Sequence, residues 1–319
     1  MLRSFFVSLS KASWAQSTIT RWGFARRAAF RFVAGETSAE AVQVVRQLNG
    51  RGICASLDHL GENTLNSEDA RNAVDAILSI IKEIDRAGVQ ANISIKLSQI
   101  GLNLDAALCR ENLVHILETA RSCGIFVRVD MEDSTLTDRT LEVVRSVHQQ
   151  GYDNVGIVIQ AYLRRSENDI RSLLQAGIRV RLCKGAYQES PDMAFPKKAD
   201  VDANYDRLAQ LLLEGTQAAG AVPASSDGRF PPIPAIATHD PRRIHFTSQL
   251  MDRLGLSKHA VEFQMLYGIR RDLQEQLAAS GYAVRVYVPY GTHWYPYFMR
   301  RLGERPANIW FFVSNYFRK

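Results

Sequence analysis

Eight short runs of apolar and β-branched residues recur along the chain and alternate with longer amphipathic segments. Such runs are typical of buried strands, and the segments between them are typical of helices that cover a sheet. The runs lie at 53–58, 92–97, 125–130, 155–160, 178–183, 234–239, 260–265 and 284–289. This alternation predicts strands that pair in parallel through helical crossovers.

Eight strand–helix units in about 250 residues fit a (β/α)₈ barrel. We expect an N-terminal helical segment at 1–50, a catalytic barrel at 51–305 and an aromatic, basic tail at 306–319. A doubly wound parallel sheet is the alternative. The glycines of GRGICA (50–55) precede their strand, whereas a dinucleotide-binding loop places them after it, so the barrel is favoured. The Pro-, Gly- and Ser-rich segment 221–234 is predicted to be a surface insertion.

Composition narrows the functional classes. The chain has 319 residues, and 39 Lys and Arg against 33 Asp and Glu give a net charge of +6. That excess suits anionic small ligands or a phospholipid surface, and the absence of a dense basic run argues against nucleic acid. Four cysteines without paired spacing predict no disulfide framework and a reducing, cytoplasmic compartment. With no HExxH motif, we expect no metal.

The first 35 residues are basic and contain no acidic side chain. This pattern is typical of a transit peptide, of a basic amphipathic helix on a membrane, or of an ordinary packed helix, and the sequence leaves the three open. The aromatic C-terminal tail is likewise compatible with a membrane surface or with the core. No apolar run is long enough to span a bilayer.

Charged and amide side chains gather at the ends of the predicted strands, where barrel enzymes carry their active sites. Lys96 and Arg181 stand within apolar runs, where a charge needs a partner. Further members of the set are Asp58, Asp130, Gln160, Lys184, His239, Glu262 and Gln264. The excess of cationic donors predicts an anionic ligand, a phosphate or a carboxylate.

Three classes of function are compatible with these residues alone. The first is a barrel enzyme for an anionic substrate. The second is a Schiff-base lyase that uses Lys96 or Lys184, since both lysines fall at predicted strand ends. The third is a non-enzymatic binder of membranes or nucleic acid, whose affinity would fall steeply with salt.

A short helical pattern, YFMRRLGE (297–304), follows the last strand directly. On a helix, Tyr297, Arg300, Arg301 and Glu304 fall within an arc of about 100°, opposite an apolar half. If this helix lies over the barrel mouth, its polar face points into the site. Two adjacent guanidinium groups would then form the two-armed clamp that a carboxylate prefers.

Eight motifs occur in an order that resembles the proline dehydrogenase family, and most closely its short, single-function bacterial members. They are KLSQIG (96–101), RVDMED (128–133), VIQAYLRR (158–165), RLCKGAYQE (181–189), ATHD (237–240), EFQMLYG (262–268), YVPYGTHW (287–294) and YFMRRLGE (297–304). The resemblance covers roughly residues 30 to 305. It implies a distorted (β/α)₈ barrel with a C-terminal helix over the mouth and non-covalent FAD.

By this resemblance, the enzyme would oxidise L-proline to Δ1-pyrroline-5-carboxylate by hydride transfer to FAD. The electrons would pass to membrane quinone, through peripheral contact with the inner membrane, and the product would pass to a pyrroline-5-carboxylate dehydrogenase. Nucleic acid is not an implied partner. This is the first step of proline catabolism.

The resemblance also assigns roles to individual residues. Asp130 and Arg181 match catalytic positions. The positions that match substrate contacts are Lys96, Arg300, Arg301, Tyr287, Tyr297, Leu266, Tyr187 and Glu62. Those that match flavin contacts are Met131, Gln160, Arg181, Lys184, Gly185, Ala186, Thr238 and His239. Gln188 departs from the aromatic or acidic residue of the long family members, and Asp240 replaces the more usual Asn after ATH. These departures affect the adenine side of the cofactor more than the chemistry.

Overall fold

The computed structural model describes residues 23–61 and 64–304, and its eight strands close into a parallel barrel in sequence order. The strands are β1 (Cys54–His59), β2 (Ala91–Ile95), β3 (Val127–Val129), β4 (Val155–Gln160), β5 (Arg179–Cys183), β6 (Pro234–Ala237), β7 (Glu262–Leu266) and β8 (Ala283–Tyr290). The pairing of β8 with β1 closes the ring. The predicted barrel is confirmed, and the doubly wound alternative is wrong.

Helices precede the barrel, follow its strands and surround it. They are α1 (Gly23–Ala29), α2 (Ser38–Asn49), α3 (Ser67–Ala87), α4 (Ala106–Ser122), α5 (Thr137–Gln149), α6 (Ser166–Gln175), α7 (Lys198–Ala218), α8 (Pro241–Leu254), α9 (Arg271–Ala279) and α10 (Trp294–Glu304). A 3₁₀ turn, Leu97–Ile100, follows β2. The main core lies between the outer faces of the strands and the apolar faces of these helices.

The interior of the barrel is polar, in contrast to the branched apolar layers that usually fill such barrels. Arg181 on β5 bonds Ser56 on β1 and Ser94 on β2, which only a side chain inside the ring can do. Alternate residues of a strand share one face. The interior set therefore includes Ser56, Asp58, Ser94, Arg128, Gly156, Gln160, Arg181, Glu262, Gln264, Arg285 and Tyr287.

An ion pair closes the N-terminal end of the barrel, which we call the floor. Glu262 and Arg285, each 1 % exposed, contact each other through Nε–Oε1 at 2.9 Å and Nη2–Oε2 at 3.0 Å. The sequence placed Glu262 among the strand-end residues of the site. That placement is wrong, because β7 begins at Glu262 and ends at Leu266.

The first half of the segment 221–234 lies at the surface, as predicted, but its second half is part of this floor, which corrects the prediction there. The Gly228 carbonyl accepts a bond from Arg285 Nη2 at 2.7 Å. Gly228 has a φ of 66°, and a Cβ there would lie 2.5 Å from Cys54 Sγ. Phe230 packs edge-on against Phe126, with ring centroids 5.7 Å apart. A glycine and an aromatic ring from the insertion thus fill the bottom of the barrel.

Helix α10 lies at the opposite, C-terminal end. Its buried residues Trp294, Tyr297 and Phe298 form one apolar cluster with Leu60 after β1 and Ile269 after β7. Further contacts of this cluster come from α1 and the turn that follows it, through Ala29, Phe32 and Val33. The predicted division at 1–50 and 306–319 stays a prediction, and the interpretations of residues 1–22 and of the tail lie outside the described residues.

Candidate active site

Arg181 is the centre of a buried hydrogen-bond network in the barrel. The residue is 5 % exposed, and its Nη1 donates to Asp130 Oδ1 at 2.8 Å. Tyr287 OH donates to the other oxygen of the same carboxylate, Oδ2, at 2.7 Å. The guanidinium also lies 5.5 Å from the centre of the Tyr287 ring. Strands β3, β5 and β8 therefore bring together the two predicted catalytic residues and one predicted substrate residue.

The environment of Tyr287 keeps its hydroxyl protonated. Burial, followed by the neighbouring carboxylates of Asp130 and Asp58, raises the pKa of Tyr287 well above its ordinary value. A phenol in this state donates to the carboxylate without competing for a proton at neutral pH. The group therefore acts as a fixed hydrogen-bond donor and as an aromatic wall.

Lys96 and Asp58 form a second charged pair in the same part of the barrel. Lys96 follows β2 and is 8 % exposed, and its Nζ lies 3.4 Å from Oδ2 of the fully buried Asp58. Gln99 accepts from the Lys96 amide and donates to the carbonyls of His59 and Gly61. The amide of Gln99 thus fixes the Lys96 backbone to the loop after β1.

Lys184 lies between two carboxylates, which argues against the lyase hypothesis for this residue. Its Nζ lies 2.5 Å from Asp202 Oδ1 and 2.9 Å from Asp240 Oδ2. Burial opposes the charge on both acids, but the bonds and charge of Lys184 lower the pKa of each carboxyl, together with Lys198 at Asp202 and with the Arg242 amide and the Arg243 charge at Asp240. An ammonium group held in this way has no lone pair with which to attack a carbonyl.

The loop after β5 passes very close to the end of β4. Gly185 has a φ of 108°, and a Cβ at this position would overlap the Tyr162 ring. Glu189, farther along the loop, accepts from the Ser134 amide at 2.8 Å, from the Ser134 hydroxyl and from Tyr162 OH at 3.3 Å. These contacts hold the segment with the predicted flavin residues Lys184, Gly185 and Ala186 against the loop after β3.

Gln160, at the end of β4, presents an unused acceptor. The side chain is 4 % exposed, and its Nε2 donates to the Met131 carbonyl at 3.4 Å. Its Oε1 is buried and has no hydrogen-bond partner among the described residues. Buried acceptors of this kind are rare without a function or a bound partner. This oxygen could accept a hydrogen bond from the ring N–H of a flavin.

The loop after β6 supplies two further predicted flavin contacts. Thr238 is buried, and its hydroxyl accepts from the Asp240 amide at 3.1 Å. His239 Nε2 accepts from the Leu266 amide at 2.9 Å, so the neutral ring carries its proton on Nδ1. This bond joins the loop after β6 to the end of β7, next to a predicted substrate contact.

Helix α10 brings further predicted substrate residues to the C-terminal end of the barrel. Tyr297 is buried in the apolar cluster that Leu266 also contacts. The Arg301 guanidinium lies 5.1 Å from the centre of the Tyr297 ring. Both arginines of the pair, Arg300 and Arg301, are partly exposed. The helix thus presents the Arg301 guanidinium beside the aromatic ring of Tyr297, with Arg300 next to it in the chain.

Two other predicted substrate residues are placed differently. Tyr187 packs against the small cluster of Tyr162, Leu163 and Ala194 near the end of β4, away from the α10 cluster. Glu62 lies outside the described residues, so its predicted role stays a prediction.

The sequence pattern places Asp58 and Gln264 among the strand-end residues but gives neither a role, and it does not identify Ser56 and Ser94. Asp58 is the partner that a buried Lys96 requires. Ser56, Ser94 and Gln264 each bond Arg181. A signal for them existed, since polar residues recur at every second position of several strands, as in Ser56 and Asp58 on β1. Such a period indicates a polar interior face.

Together, the closed barrel and the polar network define a (β/α)₈-barrel enzyme with its site at the carboxyl ends of the strands. The family model described as "Proline dehydrogenase" matches residues 41–313. The chain therefore belongs to the proline dehydrogenase family, whose members are oxidoreductases of proline degradation.

Curated relatives match nearly the whole chain. "Proline dehydrogenase 2" of Bacillus subtilis is 40 % identical over 309 residues, which are 97 % of this chain and 96 % of the relative. "Proline dehydrogenase" of Deinococcus radiodurans is 42 % identical over 297 residues, which are 92 % of this chain and 90 % of the relative. Both are short proteins of about the same length as this one.

Solved structures show the same fold as one part of larger proteins. Proline utilization A (PutA) from Bdellovibrio bacteriovorus, inactivated by N-propargylglycine, superposes with a TM-score of 0.79 at 26 % identity. The match covers 95 % of this chain but 36 % of that one. The chain thus spans about a third of the PutA chain that it resembles.

Within residues 23–61 and 64–304, no helix is long and apolar enough to cross a membrane. The same residues contain no group of three or more His, Cys, Asp or Glu side chains placed to hold a metal ion.

Proposed function

We propose that this chain oxidises L-proline to Δ1-pyrroline-5-carboxylate, with FAD as hydride acceptor and quinone as the final electron acceptor. The observation that carries the proposal is the buried network of Arg181, Asp130 and Tyr287, in a chain of the proline dehydrogenase family. This network offers a rigid cation, a carboxylate and an aromatic face in one place.

The donors and acceptors at the strand ends fit a flavin. Gln160 Oε1 provides a buried acceptor, Arg181 provides a cation, and the loop at 184–186 is held close to β4 through Gly185. Thr238 and His239 complete the proposed contacts, with the Met131 carbonyl fixed by Gln160. When bound, FAD supplies the two-electron acceptor that no side chain can provide.

The substrate carboxylate is proposed to lie against three cations, Lys96, Arg300 and Arg301. Each charge-assisted contact contributes about 1.5–3 kcal/mol, so the three together fix the position of a small zwitterion. Tyr287, Tyr297 and Leu266 would form the walls around the ring, and Glu62 is proposed to close the pocket. Tyr187 is not included, because it packs against the Tyr162 cluster.

These side chains orient the substrate and exclude water. The amine of the zwitterion must first lose its ammonium proton to water. Once the amine is neutral, hydride transfer needs little acid–base assistance, so the protein mainly holds the reacting carbon in position. Arg181 is the residue proposed to contact the reactive edge of the flavin. Asp130 holds Arg181 through Oδ1 and Tyr287 through Oδ2, and thereby fixes one face of the site.

Membrane quinone and a downstream pyrroline-5-carboxylate dehydrogenase are the proposed partners, with cytoplasmic location and peripheral contact with the inner membrane. A vesicle-binding assay with quinone-containing liposomes tests the contact separately from the chemistry.

The spectrum of the purified protein tests the function. We expect flavin absorbance bands that bleach when L-proline is added without oxygen, and Δ1-pyrroline-5-carboxylate in the product mixture. The Arg181→Met variant should bleach far more slowly under the same conditions. A colourless protein, or a flavoprotein that L-proline does not reduce, would contradict the proposal. A covalent adduct trapped by borohydride with substrate would support the lyase instead.

A further inference from the structure

A continuous line of side chains joins the floor of the barrel to Arg181. At the floor, Arg285 holds both oxygens of Glu262. Glu262 Oε1 accepts from Gln264 Nε2 at 2.5 Å. Gln264 Oε1 accepts in turn from Arg181 Nε. All four side chains are 5 % exposed or less.

The chemistry of the two neighbours fixes the direction of the Gln264 amide. A guanidinium only donates and an ionised carboxylate only accepts, so a residue between them needs one acceptor and one donor. The primary amide of Gln264 provides both, with its oxygen toward Arg181 and its nitrogen toward Glu262. Reversing the amide would place donor against donor on one side and acceptor against acceptor on the other.

Each nitrogen of the Arg285 guanidinium, which anchors this line, makes at least one hydrogen bond. Arg285 Nη1 donates to the Ala55 carbonyl at 2.7 Å, and Nη2 donates to the Gly228 carbonyl at 2.7 Å. Glu262 therefore lies in one orientation, held by strand β1 and by the segment that forms the floor. The position of the Glu262 carboxylate fixes that of the Gln264 amide through a single short hydrogen bond.

With Nε bound by Gln264, the other two nitrogens of Arg181 are directed to fixed partners. Nη1 reaches Asp130 at 2.8 Å and Ser94 at 3.1 Å, and Nη2 reaches Ser94 at 3.1 Å and Ser56 at 3.4 Å. Because the network is buried, no bulk water replaces a lost contact. Loss of the Nε bond would therefore leave the tilt of the guanidinium plane to the Nη contacts alone, of which the one to Ser56 is long at 3.4 Å.

We propose that Gln264 is a positioning residue that sets the orientation of the Arg181 guanidinium, with Glu262 and Arg285 as its anchor. The inference rests on the proposed function, in which Arg181 contacts the flavin. Gln264 acts through Arg181, so removing its amide disturbs catalysis only while the arginine is present.

The test is a double-mutant cycle of Gln264→Met and Arg181→Lys. Methionine keeps the unbranched shape but makes neither bond. We expect Q264M to lower kcat by about tenfold or more, since small misplacements near the chemistry are costly. KM for proline should change by less than about twofold, because the proposed carboxylate contacts lie elsewhere. The Q264M change should have little further effect in the R181K background.

Gln210→Met is the matched control. Gln210 also donates its Nε2 to a glutamate, Glu214, at 2.7 Å, but on the exposed surface of α7. Its kcat and KM should equal those of the wild type. If Q264M does not fold, which circular dichroism will show, Gln264→Leu replaces it in the same cycle.

The midpoint potential of the bound flavin gives a readout other than activity. A cation held at the flavin stabilises its reduced, more negative form, so Q264M should shift the potential to more negative values and Q210M should not. Wild-type kcat and potential in Q264M, or losses that multiply in the double variant, would overturn the inference. A wild-type protein without flavin would instead contradict the proposed function, so the two failures are distinguishable.

Discussion

The floor ion pair predicts a large loss of stability in Glu262→Gln. Both partners are 1 % exposed, and three donors converge on the carboxylate: Arg285 Nε, Arg285 Nη2 and Gln264 Nε2. An amide offers one acceptor oxygen, so at least one donor would face the new NH₂ group. The Arg285 charge would also remain buried without its counter-ion.

Removing one partner of a buried pair costs about 3–5 kcal/mol. Unfolding entropy of about 2.1 cal/mol/K per residue over this chain gives roughly 0.7 kcal/mol/K. The expected fall in Tm is therefore about 4–7 °C. Thermal unfolding followed by circular dichroism measures it directly.

Asp272→Asn is the control for this prediction. Arg270 and Asp272 form a similar two-pronged pair, but their side chains are 35 % and 68 % exposed. Water screens such a pair, so its loss should lower Tm by only a small fraction of the E262Q shift. Equal shifts in the two variants would refute the reasoning that burial sets the cost.

Three further predictions follow from the site. Arg301→Met should raise KM for proline at least about tenfold without loss of flavin, and an unchanged KM would contradict the clamp. Burial lowers the pKa of His59 below its ordinary value of 6.5, with His293 adding to this effect and Asp58 opposing it. The free energy of unfolding should therefore fall as the pH drops below 6.5. Because His59→Phe cannot take up a proton there, its Tm should depend less on pH between about 7 and 5. Glu189→Gln should weaken FAD binding to apoprotein by about tenfold, because an amide cannot accept on both sides, and a titration with equal affinity would exclude this role.

The strands and their order could be predicted from sequence because each strand is a local apolar run. The run 155–160 coincides with β4, and the run 178–183 differs from β5 by one residue. The outer faces of these strands carry the β-branched residues that the pattern detects. Other runs differ from their strands by one or two residues at one or both ends, and the difference in length is largest at β3, where the run 125–130 contains the three-residue strand Val127–Val129.

The floor could not be predicted in the same way. Glu262 and Arg285 are 23 positions apart and meet because β7 and β8 pair in a particular register. The role of segment 221–234 depends on the same closure, since Gly228 and Phe230 acquire partners only when the ring exists. Composition alone marks that segment as a loop and gives no indication of what it covers.

The position of the site could be predicted in part from the sequence. Parallel strands bring their carboxyl ends to one rim, so Lys96, Asp130 and Arg181 could be assigned to it from chain order. Their individual partners could not, because Asp58 is an interior neighbour of Lys96 only through the register of β1 against β2.

The floor also means that the barrel cannot be completed until nearly the whole chain is present. Arg285 bonds the Ala55 carbonyl, 230 positions earlier in the chain, and the Gly228 carbonyl from the segment before β6. The early strands therefore emerge with their polar inner faces still lacking the groups that complete them. A chain that stops before residue 285 therefore lacks both the strand that closes the ring and the cation of the floor, and its sheet keeps an open edge.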